Sequence, residues 1–255
     1  MPFIGYSRSI LAKVKVFIPA AGFGKRMGNL TAKIPKPMLT ISGIPLIHIA
    51  LYYAWKWGAT DAIINTHHFG EKIIHNLRNF PHFKIHFSEE KSEILGTAGG
   101  MKTGISRFWK DTEYFLSINP DLILFPNENF IPMPKNFSGK ALLYLHNRNE
   151  NDEYTSLSLA DGKVKFSSGD RPADYFYIGA GIFNTSIFDR ISPERYSDLS
   201  DIFGELEKSS LLEGRLFSGS VLDVGDLDRY EKMKNFDIFS KINEKSFREF
   251  QKGWV

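Results

Sequence analysis

Two glycines and two nearby cations follow a short apolar run close to the start of the chain. Residues 14–18 are β-branched, aromatic or aliphatic apart from one lysine, which favours a buried strand. Gly22 and Gly24 come directly after it, and glycine lets backbone amides approach a phosphate without a Cβ in the way. Arg26 and Lys36 could stabilise the negative charge that develops during phosphoryl chemistry. The spacing therefore indicates a loop that holds a triphosphate.

Two common phosphate-binding loops do not fit this segment. A P-loop requires Ser or Thr after Gly-Lys, but Arg26 follows Lys25. A dinucleotide loop requires a helix at its third glycine and an acid about 20 residues later. Pro35 and Pro37 interrupt such a helix, and the first acid of the chain is Asp61. The segment also lacks a recognisable nucleophile with its base, as expected when the attacking group is already an anion.

Two aspartates are candidate metal ligands. Asp121 follows the predicted strand 114–118, at the edge where α/β sheets bind ligands. Asp223 lies near the end of the predicted strand 220–224. Phosphoryl transfer from a nucleoside triphosphate uses Mg²⁺ held by one or two carboxylates. From the residues alone, a turn or capping role stays open for either aspartate.

Residues 20–38, Ala-Ala-Gly-Phe-Gly-Lys-Arg-Met-Gly-Asn-Leu-Thr-Ala-Lys-Ile-Pro-Lys-Pro-Met, resemble the signature of the sugar-1-phosphate nucleotidylyltransferases. That signature reads A-G/A-G-x-G-x-R-M/L, followed by T-x-x-x-P-K-P-M/L. The resemblance extends over about residues 14–232. It implies that Arg26 and Lys36 are the catalytic cations.

Two further segments are similar to motifs of the same family. Asn-Pro-Asp at 119–121 resembles its N-G/A-D, and residues 222–230 resemble its D-I/V-G-T-x-x-R-Y/L. Pro120 and Asp226 depart from these motifs, but neither change removes a carboxylate ligand. The resemblance implies that Asp121 and Asp223 hold Mg²⁺, the expected cofactor.

The resemblance also implies contacts to both substrates. The segment Leu-Gly-Thr-Ala-Gly at 95–99 resembles one that lies against the nucleotide base, and Asp-Arg-Pro at 170–172 resembles the family's E-K-P at the sugar phosphate. The implied nucleotide-binding residues are Ala21, Gly22, Gly24, Lys25, Glu89, Gly96, Thr97 and Asn119. The implied sugar-phosphate-binding residues are Tyr154, Asp170, Arg171 and Gly181.

The family's activity is then the expectation for this chain: a nucleoside triphosphate and a sugar 1-phosphate give a nucleotide sugar and pyrophosphate. Within the class, the chain is similar to N-acetylmuramate 1-phosphate uridylyltransferases and to short mannose-1-phosphate guanylyltransferases. A phosphocholine cytidylyltransferase-like enzyme is an alternative, and so is a nucleotide-sugar-binding relative without turnover. The sequence does not choose the base or the acceptor.

The elements that must position these residues alternate along the chain. Strands at 14–18, 62–65, 84–87 and 114–118 are separated by predicted helices at 46–57, 70–79 and 97–109, which favours a parallel sheet. Shorter strands follow, with a turn at Asp161-Gly162 and a predicted helix at 200–213. The resemblance implies an α/β, Rossmann-like fold with a mixed, mainly parallel central sheet flanked by helices, as in nucleotide-diphospho-sugar transferases.

We expect one domain over residues 1–255, with its core at about 14–232 and a helical extension at 236–255. Hexapeptide repeats typical of a β-helix domain are not found in the sequence.

Composition narrows the function classes further. The chain of 255 residues has no cysteine, which excludes a thiol nucleophile and cysteine-ligated metals. It fits a reducing compartment, so a cytoplasmic protein is expected. Residues 1–60 contain eight Lys and Arg and no acid, although the whole chain carries only +3. We expect small anions rather than nucleic acid or a membrane as partners, and a homodimer stays open.

Overall fold

Strands and helices alternate through most of the chain, of which the computed structural model describes residues 14–134, 137, 139–149, 153–167 and 173–254. The strands are β1 (Val14–Pro19), β2 (Thr40–Ile41), β3 (Ile44–Pro45), β4 (Ala59–Thr66), β5 (Lys84–Glu89), β6 (Tyr114–Ile118), β7 (Leu122–Pro126), β8 (Ala141–Asn147), β9 (Leu157–Ala160), β10 (Lys163–Phe166), β11 (Tyr175–Asn184), β12 (Leu212–Leu216) and β13 (Gly219–Asp223). The α-helices are α1 (Leu46–Lys56), α2 (Gly70–Leu77), α3 (Gly96–Phe108), α4 (Leu199–Lys208), α5 (Leu227–Met233) and α6 (Glu244–Gln251). Short 3₁₀ helices cover Lys25–Ala32, Lys36–Met38, Thr185–Phe188 and Ile238–Ser240.

The main sheet of the described residues has nine strands in the order β5-β4-β1-β6-β11-β8-β12-β10-β9. β1 pairs in parallel with β4 and β6, and β4 pairs in parallel with β5. The carboxyl ends of these four strands therefore meet at one edge. β11 then runs antiparallel between β6 and β8. The predicted mixed α/β sheet flanked by helices is confirmed.

A second, two-stranded sheet lies where the chain leaves β6. β7 and β13 are antiparallel, and Leu122 stands opposite Asp223 in their register. The Val224 N–H donates to the carbonyl of Asp121 at 3.1 Å. β7 was not predicted from the sequence. This pairing brings together two aspartates that are about 100 positions apart in sequence.

Apolar side chains of β1 bury on both faces of the main sheet. Val16 and Ile18 belong to one hydrophobic cluster with α1, whereas Phe17 belongs to a second cluster with α3 and α4. All three are fully buried, and each such side chain stabilises the fold by about 1.5–3 kcal/mol. The helices thus hold the strand that leads into the glycine loop from both sides.

The helical C-terminal segment packs on α1. Phe247 and Phe250 of α6 are fully buried, and their rings lie 5.0 and 5.6 Å from the ring of Tyr52. Trp254 follows the helix, and its ring lies 4.1 Å from that of His48. These contacts close the outer face of α1.

His48 makes the stability of this contact depend on pH. Its Nε2 and Asn76 Oδ1 are 2.7 Å apart, and burial lowers the pKa of His48 below its ordinary value of 6.5, although the Asn76 bond opposes the shift. The fold therefore disfavours the proton that the unfolded chain takes up below pH 6.5. The stability contributed by neutral His48 is present above pH 6.5 and decreases as the pH falls below it.

We expect the melting temperature to fall more between pH 7 and pH 5 in the native protein than in His48→Gln. Glutamine can still donate to Asn76 but does not titrate. Thermal melts of both proteins at the two pH values test this. The two proteins losing the same number of degrees would contradict it.

The predicted helix at 200–213 is confirmed up to Lys208 and is wrong after it. α4 ends at Lys208, and Ser210 adopts a left-handed φ of 55°. The chain then forms β12, which pairs in parallel with β8. Gly214 lies so close to Val164 that a Cβ there would stand 2.5 Å from that side chain. This tertiary packing overrides the helical pattern of the segment.

None of the helices in the described part of the chain combines the length and the apolar character that crossing a bilayer requires.

Candidate active site

A cavity of about 460 Å³ opens at the carboxyl edge of the parallel strands. It lies beyond the ends of β1, β4 and β6, where the chain turns away from the sheet. Its lining residues are Pro19, Ala20, Ala21, Gly22, Gly24, Lys25, Arg26, Lys36, Pro37, Asn65, Ile94, Gly96, Thr97, Asn119, Pro120, Asp121, Tyr196, Asp198 and Gly225. Most of the residues that the sequence implied as nucleotide-binding or catalytic thus share one cavity.

The glycine loop forms the first wall. Gly24 has a φ of 65°, and a Cβ at this position would lie 2.8 Å from Thr31 Cγ2. The Thr31 hydroxyl donates to the Gly24 carbonyl at 3.1 Å. Gly24 is therefore required for the loop to fold back on itself. A Cβ at Gly22 would meet nothing within 4 Å, so at that position the backbone lies open towards the cavity.

The two cations differ in how they are held. Arg26 is exposed and forms no salt bridge with any residue that the structure describes. Lys36 is mostly buried, and its Nζ donates to Asp121 Oδ2 and to the Gly225 carbonyl, both at 2.7 Å. Lys36 is thereby fixed between β6 and the end of β13. Arg26 is left available for an anion.

The two aspartates lie within electrostatic range of each other. Burial raises the pKa of Asp223 above its ordinary value; the Gly225 N–H and Arg229 oppose this shift, and the charge of Asp121 adds to it. Asp223 also accepts hydrogen bonds from Tyr154 and Arg229. Asp121 is thus paired with Lys36, and Asp223 is paired with Arg229. Carboxylates of this kind can bind a divalent ion, and cations beside them can neutralise the charge of a bound phosphate.

A buried acid behind the cavity was missed by the sequence analysis. The carboxylate of Glu90 accepts from Asn65 Nδ2 at 2.7 Å and from the Leu95 N–H at 2.8 Å. Asn65 Oδ1 in turn accepts from the Ala20 N–H at 2.8 Å. Burial raises the pKa of Glu90, and its hydrogen bonds oppose the shift. This network ties the glycine loop to the loop before α3. Glu90 follows β5 directly, and its position two residues after the buried Ser88 was its sequence signal, because alternate residues share a face.

Replacing Glu90 with glutamine is expected to destabilise the protein by about 1–3 kcal/mol, since one buried amide group loses its partner. Both oxygens of Glu90 accept hydrogen bonds, whereas glutamine offers one oxygen and would set its NH₂ against that of Asn65 or the Leu95 amide. Chemical denaturation compares the variant with Glu89→Gln, an exposed neighbour. A free energy of unfolding unchanged in Glu90→Gln would refute this role.

The structure separates some of the implied site residues from the cavity. Glu89 is exposed at the end of β5, and Gly181 lies within β11 between two neighbouring strands. Tyr154 does not line the cavity; it stacks on Phe176 with ring centroids 4.2 Å apart and contacts Asp223. Asp170 and Arg171 lie outside the described residues.

The opposite wall contains two residues that the sequence analysis did not single out. Tyr196 and Asp198 come from the segment before α4 and line the cavity beside Gly96 and Thr97. No sequence motif marked them, because the segment reaches the cavity through contacts with α3 that are about 100 positions away in sequence.

The chain is similar to a known protein family. The model of the MobA-like NTP transferase domain matches residues 16–163. The chain belongs to this family. The matched residues include the glycine loop, Arg26, Lys36 and Asp121, so membership in the MobA-like NTP transferases confirms the resemblance to nucleotidylyltransferases.

Curated relatives of this MobA-like domain include sugar-1-phosphate enzymes. A mannose-1-phosphate guanyltransferase of Gibberella zeae is 28% identical over 227 residues, which cover 83% of this chain and 61% of the relative. This chain thus spans less than two thirds of that protein. An N-acetylmuramate alpha-1-phosphate uridylyltransferase of Neisseria meningitidis serogroup B is 26% identical over 228 residues, covering 86% of this chain and 96% of the relative.

A solved structure shows the same fold. A UDP-glucose pyrophosphorylase complexed with UDP-glucose superposes with a TM-score of 0.72 at 18% identity, covering 88% of this chain and 97% of that one.

Proposed function

We propose that this MobA-like domain is a sugar-1-phosphate nucleotidylyltransferase. The observation that carries the proposal is the grouping around one cavity of an open glycine loop, of Arg26, which forms no salt bridge with the residues that the structure describes, and of Lys36 held by Asp121. A triphosphate needs backbone donors and cations, and its transfer chemistry needs charge compensation at the α-phosphate. The named activities of the curated relatives support the same reaction class.

The glycine loop is proposed to hold the nucleoside triphosphate. Ala21, Gly22, Gly24 and Lys25 lie along one wall of the cavity, with Gly96 and Thr97 at the start of α3 facing them. The amides at the start of a helix favour anionic or hydrogen-bonding partners. In this proposal the base lies towards α3, and Asn119, which follows β6 and lines the same cavity, contacts the nucleotide.

The transfer step needs no general base. An oxygen of the sugar 1-phosphate attacks the α-phosphorus and forms a new P–O bond. The bond from the α-phosphorus to the oxygen bridging to the β-phosphate breaks, and its electron pair leaves with pyrophosphate. The attacking oxygen is already ionised at neutral pH. Arg26 and Lys36 neutralise the charge that accumulates on the equatorial oxygens, and both substrates are aligned by the walls of the cavity.

Asp121 and Asp223 fit a Mg²⁺ site. They are two oxygen-donor side chains close enough for Asp121 to raise the pKa of Asp223. Among the described residues no group of three or more metal-ligating side chains occurs, and Mg²⁺ in such enzymes is bound by one or two carboxylates together with phosphates and water. When bound, the ion would neutralise phosphate charge. Within the chain, Lys36 fixes Asp121, and Arg229 fixes Asp223.

The acceptor is proposed to enter on the side of Asp223. Tyr154 contacts Asp223, and the middle of β11, the strand that carries Gly181, lies beside Asn119, whose N–H donates to the Gly179 carbonyl at 2.9 Å. Asp170 and Arg171, next to Pro172, remain predicted contacts of the sugar phosphate from the sequence. In-line attack at the α-phosphorus requires that the acceptor oxygen lie opposite the leaving pyrophosphate.

A grid of substrates tests the proposed function. Pyrophosphate release is measured with Mg²⁺ for four nucleoside triphosphates against a panel of sugar 1-phosphates, with phosphocholine as a further acceptor. Release that requires both a nucleotide and a sugar 1-phosphate supports the proposal. Release with phosphocholine alone, or no release from any pair, would refute it.

A further inference from the structure

The segment before α4 is fixed against the start of α3. The Ser197 carbonyl accepts from the Ala98 and Gly99 N–H groups, both at 3.1 Å, and the Ser197 N–H donates to the Leu95 carbonyl at 2.9 Å. Ser197 thus satisfies first-turn donors of α3 that a helix leaves unpaired. Next to these backbone bonds, the Glu194 N–H donates to Thr103 Oγ1 of α3 at 2.8 Å, and the Glu194 carboxylate forms a salt bridge with Arg107 of the same helix.

Two glycines make this contact close. A Cβ at Gly96 would stand 2.5 Å from the Ser197 carbonyl oxygen, and one at Gly99 would collide with the Arg195 carbonyl. Gly96 also has a φ of 69°, which disfavours any other residue. Residues 195–198 and the loop before α3 therefore pack closely together and form one wall of the cavity.

Asp198 faces the cavity instead of capping its own helix. It occupies the N-cap position of α4, where an aspartate usually accepts from the helix amides, but its side chain makes no such bond. Its Oδ2 accepts from the Tyr196 hydroxyl at 2.6 Å, and both residues line the cavity. Tyr196, which is 65% exposed, holds the carboxylate at the rim.

This carboxylate presents acceptors to the base. Several neighbouring backbone groups of the wall are already engaged: the Leu95 N–H by Glu90, and the Leu95 carbonyl and the Ala98 and Gly99 amides by Ser197. Among the described residues no hydrogen bond is made by Asp198 Oδ1. An ionised carboxylate accepts hydrogen bonds and donates none. A base edge with two adjacent hydrogen-bond donors therefore matches the two oxygens of the Asp198 carboxylate.

We infer that Asp198 is the specificity-determining residue for the base and that it selects guanine. This inference rests on the proposed function, because it requires the cavity to bind a nucleoside triphosphate. Guanine presents N1–H and the N2 amino group side by side, which allows two charge-assisted bonds to one carboxylate. Uracil and thymine present a single N–H between two carbonyls, and adenine and cytosine place a ring acceptor beside their amino group. Tyr196 positions Asp198.

Nucleotide binding by calorimetry tests the inference, with GTP, ITP and UTP as probes. ITP lacks only the N2 amino group. Since a hydrogen bond to a charged group is involved, we expect GTP to bind at least about tenfold more tightly than ITP, and more tightly still than UTP. In Asp198→Asn we expect the preference for GTP over ITP to shrink to within about threefold, with an unchanged melting temperature.

The matched control is Asp201→Asn, an exposed acid in the first turn of the same helix, which should keep the native preference. Equal affinity of the native protein for GTP and ITP would overturn the inference, as would a preference that survives in Asp198→Asn. Preferred binding and turnover of UTP would overturn it while leaving the proposed function intact. Failure to bind any of the nucleotides would overturn both.

Discussion

Replacing Arg26 with alanine is expected to lower kcat/KM for nucleotidyl transfer by about 10³-fold, in line with the loss of a cation aimed at a transferring phosphoryl group. The melting temperature should not change, because Arg26 is exposed and forms no salt bridge with the described residues. A steady-state assay of pyrophosphate release and a thermal melt measure the two quantities. A large loss of turnover in a fully stable protein separates a catalytic role from a structural one.

Lys33→Ala is the matched control for Arg26. Lys33 is an exposed cation of the same basic segment but is not part of the cavity lining. Lys33→Ala removes the same charge from this segment as Arg26→Ala. Because it alters only the long-range electrostatic field, kcat/KM should stay within about twofold of the native value. Equal losses in the two variants would mean that the field of the basic segment, rather than Arg26 itself, promotes the reaction.

Asp121→Asn is expected to lower kcat by about 10²-fold or more and to raise the Mg²⁺ concentration needed for half-maximal rate. The substitution removes one of the two paired carboxylates and the partner of Lys36. Asparagine keeps the shape of the side chain, so the antiparallel β7 and β13 should still form. Rates measured over a series of Mg²⁺ concentrations test the prediction.

Asp228→Asn controls for loss of a nearby negative charge. Asp228 is an exposed acid in the first turn of α5, a few residues after Asp223, and its replacement should leave the Mg²⁺ dependence unchanged. A Mg²⁺ curve for Asp121→Asn that superposes on that of the native protein would refute its role as a metal ligand.

Local patterns predicted much of the fold. The Asp161-Gly162 turn forms as expected, with φ values of 50° and 73°, because two positive φ angles are what a tight hairpin needs. The strand at 114–118 is confirmed at both ends. The C-terminal end of the helix predicted at 200–213 was wrong, because it depends on Ser210 and on packing of Gly214 against another strand. Such contacts are invisible in a single sequence.

The candidate site also contains residues that the sequence predicts and residues that it does not. Its glycine loop and cations are contiguous in sequence, so their spacing predicts them. Glu90 could not be assigned, because its role depends on Asn65 and Leu95 coming together around it. Asp198 could not be assigned either, since it reaches the cavity through contacts of its segment with α3, such as those of Ser197. Residues that come together only through tertiary contacts can be assigned to the site only from the structure.

The most direct test of the proposed nucleotidyl transfer is to determine which phosphorus of the nucleoside triphosphate is transferred to the sugar 1-phosphate. The protein is supplied with a sugar 1-phosphate and a nucleoside triphosphate labelled with ³²P at either the α- or the γ-position. The proposed attack at the α-phosphorus predicts that α-label enters the nucleotide sugar and that γ-label leaves entirely in pyrophosphate. Transfer of γ-label to the sugar, or release of γ-label as inorganic phosphate, would contradict it.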